Sequence, residues 1–376
     1  MLINDVSVTI FPWVVDPPTD PLGRGPFDPT GLPPMTTSLG LVRIETDEGV
    51  EGYSFLGGRT RPAGSDFRAL LDKLKPALLG RDPMDREALY QAMLAARIPV
   101  QPWVIGAVDI ALWDLAGKVT GQPIYKLLGA YRDSIPVYAS SERLDSIESY
   151  VAEAVEFRDM GWHAYKIHPF RVWRDDIELV RAVREGVGDS FTLMLDAAWA
   201  YNYPAALRVG KVVEELDYYW YEDPLVETDM YNMAKLRELL RIPLMATEMP
   251  GGLLTNYAPW ITARATDYLR GDVAIKGGIT GCIKAAHLAE AFGMNFEVHH
   301  GGNSLNNVAN LHVELAASNC EFHEVMLPRK AFDGGLGLVE NVSVDNNGII
   351  HAPTGPGLGV EIDFAWIERN KTGVHR

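Results

Sequence analysis

The sequence predicts an α/β protein in which an α+β segment precedes a parallel barrel of the (β/α)₈ kind, the barrel's last helix being missing or replaced. Three observations carry this expectation. The chain has 376 residues, enough for two or three domains and a large core. After about residue 135, short apolar runs alternate with amphipathic helical stretches, the pattern of consecutive βα units. Finally, an ionisable residue stands late in nearly every one of those runs, at the period of one βα unit.

In chain order, residues 3–11 and 38–55 read as β structure, the second run broken by a turn at 46–49. Between them, 16–34 (DPPTDPLGRGPFDPTGLPP) holds too much Pro and Gly for a helix or a central strand. A loop of that length suits a lid or a disordered segment. A lid over the barrel mouth is the expectation, with Phe27 and Leu32 as its apolar contacts. Helical patterns follow at 66–79, 85–97 and 104–119, the last aligning Val104, Ile105, Val108, Leu112 and Leu115 on one face. Eight strand-like runs come next, at 137–140, 164–169, 191–197, 218–224, 242–248, 272–276, 296–300 and 321–327. DGGLG at 333–337 replaces the helix expected after the eighth, and the tail, with a turn at 346–348, is expected to return over the N-terminal part. The division is therefore 1–135, 136–335 and a returning segment 336–376.

Composition narrows the class of function. Apolar residues make up 47% and charged ones 22%, ordinary for a globular chain. The formal charge of −16 has the wrong sign for a phosphate backbone or an anionic membrane, so neither nucleic acid nor membrane is an expected partner. Two cysteines, Cys282 and Cys320, cannot build a disulfide framework and read as core residues of a reducing compartment. The start, MLINDVSVTIF, lacks a basic region, and no stretch reaches the ~18 apolar residues of a membrane span. A soluble, bacterial-type cytoplasmic protein is expected.

The periodic residues are His168, Asp196, Glu222, Glu248, Asp272, His299 and Glu324, at intervals of 28, 26, 26, 24, 27 and 25. A barrel brings the C-terminal ends of its strands into a ring around one pocket, and these seven would converge there with Lys166. Asp196, Glu222 and Glu248 would be three carboxylates on neighbouring strands. Their repulsion calls for a hard divalent cation, Mg²⁺ first and Mn²⁺ second. The alternative is that each acid caps the following helix, a role commoner for Asp than for Glu. Lys166 and His168, two apart, share a strand face. Asp272 and His299 lie on adjacent strands, where a carboxylate can orient an imidazole. Only one of His299 and His300 can face the interior, and the spacing from Asp272 does not choose between them. Bases on both sides of a metal point to proton chemistry at carbon.

With these residues in place, the sequence resembles the enolase superfamily and, within it, the mandelate racemase-like group. The resemblance runs through ALWDLAGK, IPVYAS, YKIHP, MLDAAWAY, YEDPL, ATE, DVAIKGGIT and PGLGVEID, covering essentially the whole chain. It implies an α+β capping domain, completed by the C-terminal segment, on a modified (β/α)₇β barrel. It also implies that Asp196, Glu222 and Glu248 bind one Mg²⁺ per site, that Asp272 and His299 form a dyad, that Glu324 lies near the substrate carboxylate, and that the protein is a homo-oligomer. The shared chemistry is removal of the proton α to a carboxylate. Two positions depart from the group's pattern: the usual Lys-x-Lys is Lys166-Ile167-His168, and an Asn often found two residues after the first metal ligand is Ala198.

These features make a small-molecule carboxylate the expected substrate and a sugar-acid dehydratase, acting on an aldonic or aldaric acid, the leading expectation. Lys166, His168, Asp272, His299 and Glu324 are its expected catalytic residues. A racemase or epimerase of a 2-hydroxy or amino acid is the alternative. Glycoside hydrolysis would leave the triad, Lys166 and the dyad without a role, and an inactive binding protein would not need the full acid–base set. Specificity is expected in 16–34 and around 51–61, with Arg24, Arg59 and Arg61 as candidate contacts.

Overall fold

The structure, a computed structural model, describes residues 1–15, 35–96, 100–249, 253–327 and 336–376. The expected lid at 16–34, with Arg24, Phe27 and Leu32, lies outside the described residues. Three strands, β1 (Ile3–Val15), β2 (Met35–Thr46) and β3 (Glu51–Leu56), form an antiparallel meander. Their alternation buries Val6, Val8, Ile10, Val42 and Ile44 in one cluster with the helix Pro102–Thr120. That helix starts on a proline and ends at Gly121, whose φ of 68° is the left-handed conformation of a helix C-terminus. Gly52 lets strand and helix touch, since a Cβ there would lie 2.1 Å from the Ala111 carbonyl oxygen. The helix expected at 66–79 is interrupted: Ala63–Ala69 passes through a wide turn at Leu70–Leu74 into Lys75–Leu78. Pro76 has no N–H to continue the regular ladder.

The barrel strands are β4 (Ser134–Ser140), β5 (Ala164–Ile167), β6 (Thr192–Asp196), β7 (Tyr221–Glu222), β8 (Leu244–Ala246), β9 (Tyr268–Gly271), β10 (Asn295–Val298) and β11 (His323–Met326). From β4 to β10 each strand pairs in parallel with the next along the chain, and β11 pairs in parallel with β4, so β10 and β11 are the two edges of a nearly closed barrel. A helix follows each strand from β4 to β10 among the described residues, the last being Ser304–Ala316. After β11, residues 336–348 form turns and bridges, and β12 (Ile349–His351) lies antiparallel to β4. β13 (Gly373–His375) pairs antiparallel with β1 in the cap sheet. No helix among the described residues is long and apolar enough to cross a membrane. Cys282 and Cys320 are buried and free.

One strand lies earlier than its apolar run implied. The sixth barrel strand is Tyr268–Gly271, and 272–276, read as the strand, is a tight turn in which Ile275 N–H and Lys276 N–H both donate to the Asp272 carbonyl. The true strand was disguised by Arg270, which is fully buried.

The barrel interior is layered by the two-residue period of its strands. Tyr138, Ala164, Met194, Trp220 and Met245 fill the lower layer as an apolar plug. Two residues further along, the same faces carry Ser140, Lys166, Asp196 and Glu222, all buried. The apolar plug holds the walls apart at a fixed spacing, so the charged layer above it is rigidly mounted.

His312, on helix Ser304–Ala316, joins three parts of the chain. Its ring accepts from Tyr125 N–H at 3.2 Å and donates to the Leu358 carbonyl at 3.1 Å. Burial pushes its pKa down from 6.5 to about 4. The native state therefore binds fewer protons than the unfolded chain between those values, so the contribution present above pH 6.5 is lost as pH falls toward about 4. His312→Gln is expected to be less stable than the native chain, by a gap in denaturant midpoint that is wide near neutral pH and narrows near about pH 5. A gap independent of pH would contradict this role.

Candidate active site

Asp196, Glu222 and Glu248 converge at the C-terminal ends of β6, β7 and β8, each offering a carboxylate oxygen within 4.8 Å of the others. None serves the helix that follows it. Asn202 and Asp229 cap the next two helices, and Asp196 instead accepts the Ala198 N–H at 2.9 Å. Glu248 reaches the ring through a break in alternation. Continued pleating from Met245 would turn residue 247 inward, but Thr247 takes φ of 85°, an unfavourable conformation for a β-branched residue. Its hydroxyl is held between strands, donating to the Arg270 carbonyl at 3.2 Å and accepting the Arg270 N–H at 3.0 Å. Glu222 Oε1 is buried and is engaged through its ion pair with Arg270, 2.8 Å away. Three carboxylates clustered this closely, with only oxygen donors, are a fitting set for a hard divalent cation.

Two buried cations balance the acids. Lys166 Nζ lies 2.7 Å from Glu324 Oε1, 3.0 Å from Glu222 Oε2 and 3.3 Å from Asp196 Oδ2. Arg270 bridges Glu222 Oε1 at 2.8 Å and Glu324 Oε2 at 2.7 Å, and donates to Tyr138 Oη and the Val298 carbonyl. Burial and the Arg270 charge oppose protonation of Lys166, but Glu222 and Glu324 outweigh them and raise its pKa well above the ordinary value. Burial acts against the Glu324 charge, yet Arg270 and Lys166 hold its pKa well below the usual range. Burial raises Glu222.

The two histidines flank this cluster with different hydrogen bonding. At His168, Nδ1 faces the Ser141 carbonyl at 2.6 Å and Nε2 faces Asp196 Oδ2 at 2.9 Å. Both partners can only accept, so the ring carries both protons. Burial opposes that charge and Asp196 overcomes it, leaving the His168 pKa raised. At His299, Nδ1 donates to Asp272 Oδ2 at 2.9 Å, while Nε2 stands 3.4 Å from Glu248. Asn310 ties this pair down, donating to both Asp272 Oδ1 and the His299 carbonyl at 2.9 Å. Burial lowers the His299 pKa, but Glu248 and then Asp272 lift it to about 9. Glu248 belongs to the carboxylate triad, so the proton affinity of His299 depends on what else Glu248 binds.

His300 points away into the wall. Its Nε2 and His323 Nδ1 both donate to Glu314 at 2.7 Å, and its backbone N–H donates to Glu324 Oε2 at 2.9 Å. Open space lies on either side of the ring. About 480 Å³ stands between the 55–61 loop of the cap, Trp103 and the His299 side of the barrel. About 470 Å³ lies beside His168, bounded by Glu142, Arg143 and Met326.

Two known families match the chain. Residues 149–366 match the Enolase C-terminal domain-like family and residues 25–129 match the Mandelate racemase / muconate lactonizing enzyme, N-terminal domain. The chain belongs to the enolase superfamily, in its mandelate racemase-like group. This superfamily member is similar to an arabinonate dehydratase of Saccharolobus solfataricus, 31% identical over 91% of this chain and 92% of that protein. It is also similar to an N-succinyl-L-Arg/Lys racemase of Bacillus cereus, 30% identical over 86% and 87% of the two chains. Among solved structures, D-glucarate dehydratase from Agrobacterium tumefaciens, complexed with magnesium, superposes with a TM-score of 0.87 and 34% identity, covering 99% of this chain and 100% of that one.

The member's two departures from the group's pattern have visible local consequences. Histidine at 168 is shorter than the usual lysine, and the Ser141 carbonyl anchors its ring. At Ala198 the backbone does the polar work: its N–H serves Asp196 and its carbonyl accepts from Arg171 at 2.5 Å. Sequence reading missed Arg270, Asn310 and Glu314. The signal for Arg270 was present, since it stands two residues before Asp272 in the layer position that Lys166 occupies on its own strand.

Proposed function

We propose that this protein is a magnesium-dependent sugar-acid dehydratase that converts an aldonic or aldaric acid to a 2-keto-3-deoxy acid. The observation that carries the reading is the unequal hydrogen bonding of the two histidines. His168 has a proton on each nitrogen and is ready as an acid. His299 has its Nδ1 proton committed to Asp272 and turns Nε2 toward Glu248; a cation on Glu248 would cancel the charge that lifts the His299 pKa to about 9 and leave Nε2 able to accept a proton. A magnesium ion held by Asp196, Glu222 and Glu248 would supply Lewis-acid charge for the substrate carboxylate. Lys166 would add a fixed positive charge beside that carboxylate, with Glu324 and Glu222 holding the ammonium in place.

In this scheme His299 Nε2 takes the proton α to the carboxylate, and the electron pair moves into an enediolate. The pair then expels the β hydroxyl, which leaves as water with the Nε2 proton of His168. The enol product tautomerises to the keto acid, so one water is lost and no redox partner is needed. The dehydratases among the similar proteins support this reading. A racemase or epimerase is the second reading, favoured by acid–base groups on both sides and by the similarity to an N-succinyl-L-Arg/Lys racemase.

NMR in D₂O with aldonic and aldaric acids tests the choice. Elimination to a keto acid, abolished by EDTA and restored by Mg²⁺, is the expected result. Deuterium entering at the α carbon with inversion and no elimination would replace the dehydratase reading with the racemase one. Turnover indifferent to EDTA would remove the metal from the proposal.

A further inference from the structure

We propose that Arg61 in the cap-side cavity binds a second, distal carboxylate, so that the preferred substrates are aldaric diacids; as a statement about substrates this rests on the dehydratase reading. The cavity is shared by the cap loop and the barrel, with Arg61 and Trp103 on one side and His299 and Asp272 on the other. It opens to solvent beside His299, so the part of a substrate that extends past the reacting carbons can run toward Arg61.

Of the two arginines in this cavity, Arg59 is already neutralised, its Nη1 lying 2.8 Å from Glu142 Oε1. Arg61 pairs with no carboxylate among the described residues. Its guanidinium carbon instead stands 5.2 Å from the centre of the Trp103 ring. A cation–π contact of this kind uses none of the guanidinium N–H groups, which are the ones that grip a carboxylate with two parallel hydrogen bonds. The platform is itself fixed, because Trp103 Nε1 donates to Asp66 at 2.7 Å.

The loop carrying Arg61 is built into the fold. Gly58 N–H donates to the Arg61 carbonyl at 2.8 Å and Arg61 N–H donates back at 3.3 Å. Asn303 from the barrel donates to the Gly57 carbonyl at 2.9 Å, so the loop is tied to the segment that follows His299. A cation on a fixed loop, with no carboxylate partner among the described residues, in a chain of net charge −16 is suited to an anionic ligand. An aldonic acid ends in a neutral hydroxymethyl group, which cannot use a charged fork. An aldaric acid ends in a carboxylate, which can.

The test compares kcat/KM of the Mg²⁺-loaded enzyme on galactarate against galactonate and on glucarate against gluconate, with Arg61→Met and Arg61→Lys alongside. The native enzyme is expected to favour the diacid in at least one pair. Arg61→Met should lower that diacid-to-monoacid ratio by roughly 10- to 100-fold, the range of one hydrogen bond to a charged group. Arg61→Lys, which keeps the charge and loses the fork, should fall in between. Equal or better turnover of the aldonates, or a ratio unmoved by Arg61→Met, overturns the proposal while leaving the dehydratase reading intact. Should no acid eliminate water, the dehydratase reading fails, and calorimetric binding of the same four acids decides separately. Tighter diacid binding that Arg61→Met removes supports the subsite, and equal binding of diacid and monoacid overturns it.

Discussion

His299→Asn is expected to lose both α-proton exchange and elimination by roughly 10²–10⁴-fold, the usual worth of a positioned acid–base group. His168→Asn is expected to lose elimination while still exchanging the α proton with solvent. The difference follows from the two rings' partners: His299 is held by Asp272 and Asn310, whereas His168 is held by Ser141 and Asp196 on the other side of the carboxylates. Parallel NMR time courses in D₂O, following the α signal and the keto product, read both activities from one sample. If His168→Asn loses exchange and His299→Asn keeps it, the base is His168 and the two faces are reversed. Equal loss of both activities in both variants would deny the division of labour altogether.

Arg270→Met should cost about 3–5 kcal/mol of stability, because it strips the cation from two fully buried carboxylates, Glu222 and Glu324. Methionine fills much of the volume, so the loss measures charge more than cavity. Turnover should fall as well, since Glu324 would be left to pull on Lys166 alone. Adding Glu324→Gln to Arg270→Met should recover part of the lost stability, which a simple packing defect would not allow. Chemical denaturation of the three proteins, with and without Mg²⁺, makes the comparison. A stable Arg270→Met would mean that solvent or a protonated Glu222 satisfies the acids.

What was legible beforehand was governed by repetition. Each βα unit returns the chain to the same rim, so acids one unit apart announce a ring even where single positions are ambiguous. That is how Glu248 could be found although strand alternation favours Thr247, whose left-handed backbone no periodicity reveals. Arg270 was hidden for the opposite reason: a guanidinium inside a strand reads as a break in an apolar run, and the strand was placed too late as a result. The Glu314 contacts with His300 and His323 depend on how one helix packs against two strands, a relation that spacing along the chain does not encode. For the cap loop, composition shows arginines but not which of them already has a partner.

The pairing of β13 with β1 bears on how the molecule is made. Neighbouring barrel strands are mostly one βα unit apart, so their contacts become available steadily as the chain is synthesised, with β11 on β4 as the long closure. The cap sheet differs, because Val8 meets His375 across nearly the whole sequence. On the ribosome, β1 therefore waits with one edge open until the final strand leaves the exit tunnel, and closing so long a loop carries the largest entropic cost in the fold. During that interval the open edge is a place where a second nascent chain could add a strand. Slow or interrupted translation between β12 and β13 would prolong that exposure, and the finished clasp ends it.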